Sequence, residues 1–253
     1  MTIDPRALDF DVTALLAELT DATEQLIGSA EQLDDEAVRE PSTLPGWSRG
    51  HLLTHIARNA DGLRNLLEWA MTGERHDMYP DRETRDADIE TGATRTAGQL
   101  AADLREASRR FVEAAARITS EQWTVKVERR GGGPQPASKI PWWRLEEVLI
   151  HHVDLNTGFS PAHWPVQFTG PTLEMSAERF TDPAYGAIAA TPFRLYAEDT
   201  ARNCAVACDP MDKDHPLVRG PEAALLAWML GRSDGDGLTV EPFDALPTLP
   251  AWM

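Results

Sequence analysis

Two stretches of sequence decide the fold, RGHLLTHIARNADGLRNLLEWAM (49–71) and WWRLEEVLIHHVDL (142–155). In the first, apolar residues recur at three- and four-residue steps along its whole length, which predicts a long helix with one buried face and Ser48 as its N-cap. The second stretch follows Pro141, a residue favoured in the first turn of a helix, and shows the same periodicity. Both stretches also carry histidines, so two helices and a polar site are predicted together.

Two more helices complete a bundle. The segment DVTALLAELTDATEQLIGSAEQL (11–33) has its apolar residues at helical steps, and another helix is predicted at about 99–118. Four long helices joined by loops indicate a four-helix bundle over residues 1–160. The stretches 73–92 and 129–141 are charged or rich in Gly and Pro, so they are predicted to be connections without a core of their own.

After about residue 160 the pattern changes. FRLYAED (193–199) and NCAVACD (203–209) alternate or carry strand-favouring residues, and shorter helices are predicted at 171–180 and 220–231. The expected fold class is therefore α+β, with the helical bundle followed by a small α+β domain over residues 161–253.

Composition limits the partners. The chain has 253 residues, and 24 basic against 41 acidic residues give a net charge of −17, which repels nucleic acid and anionic lipid surfaces. No stretch approaches the roughly 20 continuous apolar residues of a membrane span. The N-terminus MTIDPRALDFD is acidic where a signal peptide is basic. We expect a cytoplasmic protein, a monomer or small homo-oligomer, that acts on small molecules.

The two cysteines, Cys204 and Cys208, are too few for a disulfide framework, which also fits a reducing compartment. Their spacing places both on one face of a predicted strand. Small buried core residues are one interpretation of this pair, and a redox or metal pair is the other.

Two pairs of polar residues lie on the predicted helices at 49–71 and 142–155. His51 and His55 are one turn apart, as are Glu147 and His151, and facing pairs of this kind build metal sites in helical bundles. Such a step also arises by chance on a solvated helix. On a helical wheel of about 100° per residue, His55 lies about 40° nearer the buried face than His51. His55 is thus expected to point into the bundle and His51 to lie near the rim.

The later helix has a polar stripe. Glu147, His151 and Asp154 follow the border of its apolar face, where ligands facing a pocket are expected. His152 falls in the middle of that face, where a ligand, a core histidine bonded to a carbonyl and a supporting residue are all compatible with the pattern. Asp154 either orients a ligating histidine or is a solvated helix residue.

The segments LPGWSRGHLLTHIARNADGL (44–63), WWRLEEVLIHHVDL and GRSDGDGL (231–238) resemble the mycothiol-dependent maleylpyruvate isomerase family over nearly the whole chain. The resemblance implies a DinB-like N-terminal bundle and a small C-terminal domain. It also implies a divalent metal, usually zinc, held by His55, Glu147 and His151, which leaves His152 in a supporting place. His51 at the rim and Asp154 on the polar stripe are the other candidates for supporting residues. The chain departs from the family at Glu146, where relatives often carry a basic residue.

Three protein ligands leave a tetrahedral zinc ion with an open position, as in catalytic sites. The resemblance implies mycothiol as the thiol cosubstrate, and a metal can hold a thiol as the nucleophilic thiolate. In the family reaction the thiolate adds to the cis double bond of maleylpyruvate, the new single bond rotates, and elimination gives fumarylpyruvate. A mycothiol S-transferase that stops at the adduct, and a non-catalytic protein that binds metal or thiol, are the alternatives.

A doubly anionic substrate needs cationic groups in a chain of this charge. The resemblance makes Arg232, in GRSDG, the candidate catalytic residue, although a helix-end arginine also complements the helix dipole. Arg85 in the polar stretch and Arg144 on the second ligand helix are further candidates for substrate contacts, with exposed surface arginines as the alternative. Trp47 and Trp142 flank the two ligand helices and are expected either to line the pocket or to pack in the core.

Overall fold

The computed structural model describes residues 11–129, 133–181, 191–243 and 245–249. The chain divides into two compact units, one that ends at Gly158 and one that begins at Phe159. The first unit is mainly helical, and the second combines helices with a four-stranded sheet. The α+β class expected from the sequence is confirmed.

The first unit is a four-helix bundle with one additional helix. α1 and α2 each pack against both α4 and α5, so the four helices surround one core of residues that are at most 1% exposed, among them Leu19, Leu26, Leu52, Ile56 and Phe111. In the parts of the chain that are described, no helix has the length and apolar character needed to cross a lipid bilayer. The helices are α1 (Val12–Glu31), α2 (Arg49–Thr72), α3 (Arg82–Gly92), α4 (Ala97–Ala115) and α5 (Ile140–Asp154).

Side-chain caps fix where the helices begin. Ser48 is the N-cap of α2, as predicted, and its hydroxyl accepts a hydrogen bond from the backbone N–H of His51. The His51 ring accepts in return from the backbone N–H of Ser48, which completes a capping box. α5 instead has a proline in its first turn, as predicted from Pro141.

The stretch 73–92, predicted to be a connection, contains α3, so that prediction is wrong. Within α3 only Ile89 and Gly92 are buried, and two buried residues are too few to form an apolar repeat that predicts a helix. The start of α3 is marked instead by an N-cap, because Asp81 Oδ1 accepts a hydrogen bond from the backbone N–H of Thr84 at 2.6 Å. α3 packs against α2, the helix that carries His55.

The Gly- and Pro-rich stretch 129–141 is also not a plain connection. Strand β2 (Pro134–Pro136) pairs antiparallel with β1 (Lys126–Glu128), where Val127 is fully buried opposite Gln135. Both strands have three residues, too short for an alternating pattern to be recognised. Residues 130–132 of this stretch lie outside the described part of the chain.

The second unit is a mixed sheet covered by two helices. In order across the sheet, β4, β3, β5 and β6 are neighbours; β3 and β5 are parallel, and the other pairs are antiparallel. The predictions of β3, β4 and both helices are confirmed, whereas the short β5 and β6 were missed. The elements are α6 (Val166–Thr181), β3 (Phe193–Ala197), β4 (Asn203–Val206), β5 (Leu217–Gly220), α7 (Glu222–Met229) and β6 (Thr239–Glu241).

The two cysteines belong to this unit but not to one strand face. Cys204 is buried in β4, whereas Cys208 follows the end of the strand and its Sγ donates to the carbonyl oxygen of Phe193 at 3.4 Å. Burial raises the pKa of the Cys204 thiol to about 12 and also raises the pKa of Cys208. Both side chains therefore remain protonated at neutral pH, which favours the interpretation as packing residues.

We expect Gly92→Ala to destabilise the bundle. A Cβ at Gly92 would lie 2.2 Å from Thr54 Cγ2 and 2.7 Å from Thr54 Oγ1. Thr54 is 1% exposed and its hydroxyl donates to the carbonyl oxygen of Gly50, so the β-branched side chain cannot turn away without losing that bond. The free energy of unfolding, measured by urea denaturation, should fall by about 1–3 kcal/mol.

Gly98→Ala is the matched control, because an added Cβ at this exposed position of α4 meets no atom within 4 Å. Its free energy of unfolding should stay within about 0.5 kcal/mol of the wild type. Adding Thr54→Ala to Gly92→Ala should recover part of the loss by removing the atoms that clash. Equal stability of the Gly92→Ala and Gly98→Ala variants would contradict the close packing of α3 on α2.

Candidate metal centre

Three side chains from α2 and α5 meet at one point. His55 Nε2 lies 3.0 Å from Glu147 Oε2 and 3.2 Å from His151 Nε2, and the latter two atoms are 3.4 Å apart. His55 is buried, and the other two are half-buried. Within the described residues this is the only group of three or more His, Cys, Asp or Glu side chains arranged to hold a metal ion. The same three residues were expected from the sequence.

The separations in this cluster suit a tetrahedral ion. With zinc-to-ligand bonds of about 2.0–2.1 Å, two ligands of a tetrahedron are about 3.3 Å apart. The three measured separations have that length, so the atoms form one triangular face of such a tetrahedron. Two imidazole nitrogens and one carboxylate oxygen are also a ligand set of zinc sites that keep a position open. The residues present therefore fit a divalent ion such as zinc.

The helix positions explain why these residues converge. On α2 the neighbours Leu52 and Ile56 are fully buried, and His55 lies at the edge of their face, on the side that packs against α5. On α5 the carboxylate and the imidazole are four residues apart, so they project from the same side of the helix. The packing of α2 on α5 then closes the cluster.

Asp154 holds the ring of His151. Its Oδ2 lies 2.8 Å from His151 Nδ1, and its Oδ1 accepts a hydrogen bond from Thr43 Oγ1 at 2.9 Å. Because an ionised carboxylate only accepts, Nδ1 of His151 carries a proton, so Nε2 is the nitrogen that can bind a cation once the ring is neutral. Asp154 is 1% exposed, which excludes the alternative of a solvated helix residue.

Burial and hydrogen bonds set the charges in the cluster. Burial lowers the pKa of His55. Burial alone would raise the pKa of Glu147, but hydrogen bonds from His151 and His55 outweigh it and hold that pKa well below its usual range. Burial likewise favours neutral His151, but hydrogen bonds to Asp154 and Glu147 leave the pKa of this histidine raised. Glu147 is thus ionised at neutral pH and supplies the negative charge that a cation needs.

Two of the predicted substrate contacts lie against His55. The Trp47 ring centroid is 5.4 Å from that of His55, and Arg85 of α3 places Nη2 at 3.1 Å from His55 Nδ1. The unpredicted helix α3 is therefore what brings Arg85 to the cluster. The predicted contacts of both residues with a substrate stay predictions.

His51 lies one turn before His55 but is occupied by the cap of α2. Its Nδ1 is 2.7 Å from Ser48 Oγ, and its Nε2 is 3.3 Å from Glu90 Oε2 on α3. The ring also stacks with Trp47, with centroids 6.5 Å apart. These contacts keep His51 at the rim, where the helical wheel placed it.

His152 and Trp142 are both buried on α5. His152 Nε2 lies 2.8 Å from Ser29 Oγ on α1, because consecutive residues of a helix point about 100° apart and His151 already faces α2. Trp142 is 4% exposed. The supporting place of His152 and the pocket-lining place of Trp142 stay predictions.

Arg144 is neither on the surface nor open to a substrate, and the sequence-based interpretation needs correction here. The side chain is 1% exposed, and its guanidinium donates to the carbonyl oxygen of Ile56 at 2.8 Å and to Asn59 Oδ1 at 3.0 Å. A weaker hydrogen bond of 3.4 Å reaches Ser108 Oγ on α4. The helical position alone could not show that three protein acceptors surround this group, so we no longer assign it a substrate contact.

Arg232, the candidate catalytic residue, belongs to the second unit. It follows the C-terminal end of α7, where its Nη1 donates to the carbonyl oxygen of Leu230 at 2.7 Å. This contact is the one expected of a helix-end arginine. Its catalytic role stays a prediction.

Tyr79 is a neighbour of the site that sequence reasoning missed. Its ring lies under the Arg85 guanidinium, 5.8 Å from ring centroid to Cζ, and its hydroxyl bonds to the same group. Burial, followed by the charge of Glu147, raises the pKa of Tyr79 to about 12. The available signal was the pair Met78 and Tyr79, apolar and aromatic residues within an otherwise polar stretch just before the cap of α3.

Comparisons with known proteins agree with this geometry. Residues 19–156 match the family described as mycothiol maleylpyruvate isomerase N-terminal domain. A crystal structure of the mycothiol-dependent maleylpyruvate isomerase is 28% identical to this chain, with a TM-score of 0.86. A structure of a variant with one histidine replaced by alanine is 27% identical, with the same TM-score. Each comparison covers 96% of this chain and 98% of the other.

No curated protein matches the chain. The family match nevertheless extends over more than half of the 253 residues, and it includes the whole of α2, α3, α4 and α5. All three residues of the cluster lie within it. The chain belongs to the mycothiol maleylpyruvate isomerase family.

Proposed function

We propose that the protein is a zinc- and mycothiol-dependent cis–trans isomerase of maleylpyruvate-type substrates. The observation that carries this proposal is the cluster of His55, Glu147 and His151, which offers three ligand atoms at tetrahedral separations and leaves one coordination position for another group. A purely structural zinc site would be closed by four protein ligands. Family membership supplies the thiol and the substrate class.

A zinc ion in this site would lower the pKa of a bound thiol and keep it as the nucleophilic thiolate at neutral pH. The chain's own residues prepare the site for that step. Asp154 fixes the tautomer of His151, and Glu147 is ionised before any cation arrives. Trp47 packs beside the His55 ring at a tilt, with the two ring centroids 5.4 Å apart.

The reaction needs no redox partner. Mycothiol releases its thiol proton to solvent, and the thiolate adds to one carbon of the cis double bond, so that the electron pair moves into the adjoining carbonyl as an enolate. Rotation about the new single bond follows. The electron pair then returns, forms the trans double bond and expels the thiolate, which starts the next turnover or regains a proton from solvent as free mycothiol.

Arg85 is the proposed anion contact beside the cluster. Its guanidinium can only donate, so His55 Nδ1 accepts from it at 3.1 Å in the present arrangement. A neutral His55 that uses Nε2 as a metal ligand carries its proton on Nδ1, where it no longer accepts. We propose that Arg85 then exchanges this contact for a carboxylate of the substrate or of mycothiol, and that Arg232 is the catalytic arginine of the family motif.

A mycothiol S-transferase is the second candidate. Glu146, half-buried next to Glu147, adds negative charge where relatives often carry a basic residue, which favours an electrophile with less charge than a dicarboxylate. The same thiolate would then remain attached to its product. For either enzyme we propose a cytoplasmic protein, a monomer or small homo-oligomer, that acts on small molecules.

We expect each of His55→Ala, Glu147→Ala and His151→Ala to abolish stoichiometric metal binding. Removing one of three ligands leaves two, too few to hold zinc against dilution, so a content of about one zinc per chain should fall to near zero. Metal analysis after gel filtration measures this content.

His163→Ala is the control, since this exposed histidine contacts Ser160 in the second unit and should keep its full zinc content. Retention of stoichiometric zinc by all three cluster variants would exclude the proposed site.

Asp154→Asn should weaken zinc binding by roughly 10- to 100-fold. The asparagine keeps its carbonyl oxygen on Thr43 and turns its NH₂ group toward His151 Nδ1, which then has to accept. The ring proton is thereby forced onto Nε2, the atom that faces the cluster. Competition with a chromophoric chelator measures the dissociation constant.

Thr43→Val provides the matched control for Asp154→Asn. It removes the hydroxyl that donates to Asp154 Oδ1 but leaves the carboxylate on His151, so the loss of affinity should be several-fold smaller. An equal loss in both variants would mean that Asp154 acts through packing and not through the tautomer of His151.

The zinc-loaded protein, incubated with mycothiol and maleylpyruvate, should form fumarylpyruvate without net consumption of thiol. Chromatography of the organic acids and titration of free thiol measure both quantities. Arg232→Ala should form far less fumarylpyruvate at an unchanged zinc content. Consumption of one mycothiol per electrophile, with no trans product, would contradict the isomerase and support the S-transferase. No turnover of either kind would indicate a non-catalytic binding protein.

A further inference from the structure

Within the described part of the chain, the buried cation Arg144 donates hydrogen bonds only to uncharged atoms. Its acceptors are the carbonyl oxygen of Ile56, Asn59 Oδ1 and Ser108 Oγ, and the side chain is 1% exposed. Burial lowers the pKa of its guanidinium to about 10, so the group is still charged at neutral pH. A buried charge without an ion pair is costly, and a neutral side chain of similar size would fill the same space. The position therefore calls for a reason beyond packing.

The place of these contacts along the helices supplies that reason. Ile56 directly follows His55 on α2, and Asn59 lies one turn after His55. Arg144 itself lies one turn before Glu147 on α5. The guanidinium thus connects the two ligand helices. On each helix this contact lies within about one turn, or 5.4 Å of rise, of a proposed ligand.

We propose that Arg144 is a positioning residue that sets the register of α2 against α5, and with it the distance from His55 Nε2 to the two ligand atoms of α5. The proposal rests on the metal site proposed above. The planar guanidinium suits this task because it offers several N–H groups in fixed directions, so it can hold a backbone carbonyl and a side-chain amide at once. A lysine at the same place has one flexible ammonium and cannot define both directions.

Ser108 provides an internal contrast to Asn59. Both side chains accept from the same guanidinium, but Asn59 lies on α2 beside a ligand, whereas Ser108 lies on α4, which carries none of the three ligands. A role limited to packing treats the two acceptors alike. A role in register depends on Asn59 and not on Ser108.

The test uses Co²⁺ in the full-length protein, because its visible absorption bands report the geometry of the ligands directly. We expect Asn59→Ala to weaken Co²⁺ binding roughly 10-fold, the size of effect seen for residues that orient ligands, and to change the position or intensity of the bands. Arg144→Lys should change the bands in the same way. Ser108→Ala should keep the wild-type spectrum and an affinity within twofold of the wild type.

Thermal unfolding of each variant without metal separates register from stability. Similar losses of melting temperature in Asn59→Ala and Ser108→Ala, together with wild-type spectra in both, would overturn the positioning role and leave Arg144 a packing residue. If Arg144→Lys does not fold, the comparison of Asn59→Ala with Ser108→Ala decides alone. A wild-type protein that binds no Co²⁺ would instead refute the metal site itself, and the positioning role with it.

Discussion

The packing of α2 against α5 is the contact on which the rest of the site depends. One residue of the cluster comes from α2 and two come from α5. Asp154, which bonds to His151, and Arg144, the proposed positioning residue, also lie on α5. α1 packs on α5 and α4 packs on α2, and both supply apolar core around the two ligand helices. A bundle is well suited to this arrangement because rigid helices fix the direction of each side chain to within a fraction of a turn.

The local charge differs from that of the whole protein. The chain carries a net charge of −17, yet two guanidiniums lie near the cluster: Arg85 contacts His55, and the charge of Arg144 acts on Glu147. These positive charges offset part of the negative charge around the cluster. An anionic ligand would thus meet less repulsion near the cluster than the net charge of the molecule implies.

Features that follow from helical periodicity could be predicted from the sequence, whereas features fixed by contacts between distant residues could not. The helical wheel separated His55 from His51, because the direction of a side chain on a regular helix follows from its position. α3 was missed because its helix is fixed by the Asp81 cap and by packing on α2, neither of which gives an apolar repeat. Tyr79, which lies just before α3, was missed for the same reason. The burial of Arg144 could not be predicted because its three acceptors lie 36 to 88 residues away in the chain.

The ligands of the cluster are widely separated along the chain, and this has a consequence for biosynthesis. His55 and Glu147 are 92 residues apart, and between them lie the end of α2, the whole of α3, α4 and the β1–β2 pair, and the start of α5. A ribosome must therefore release α5 before the second and third donors exist, and by then the other bundle helices have all been made. Capture of a metal by all three donors would therefore be confined to a nearly finished first unit, and the nascent polypeptide would spend most of its synthesis without the complete donor set.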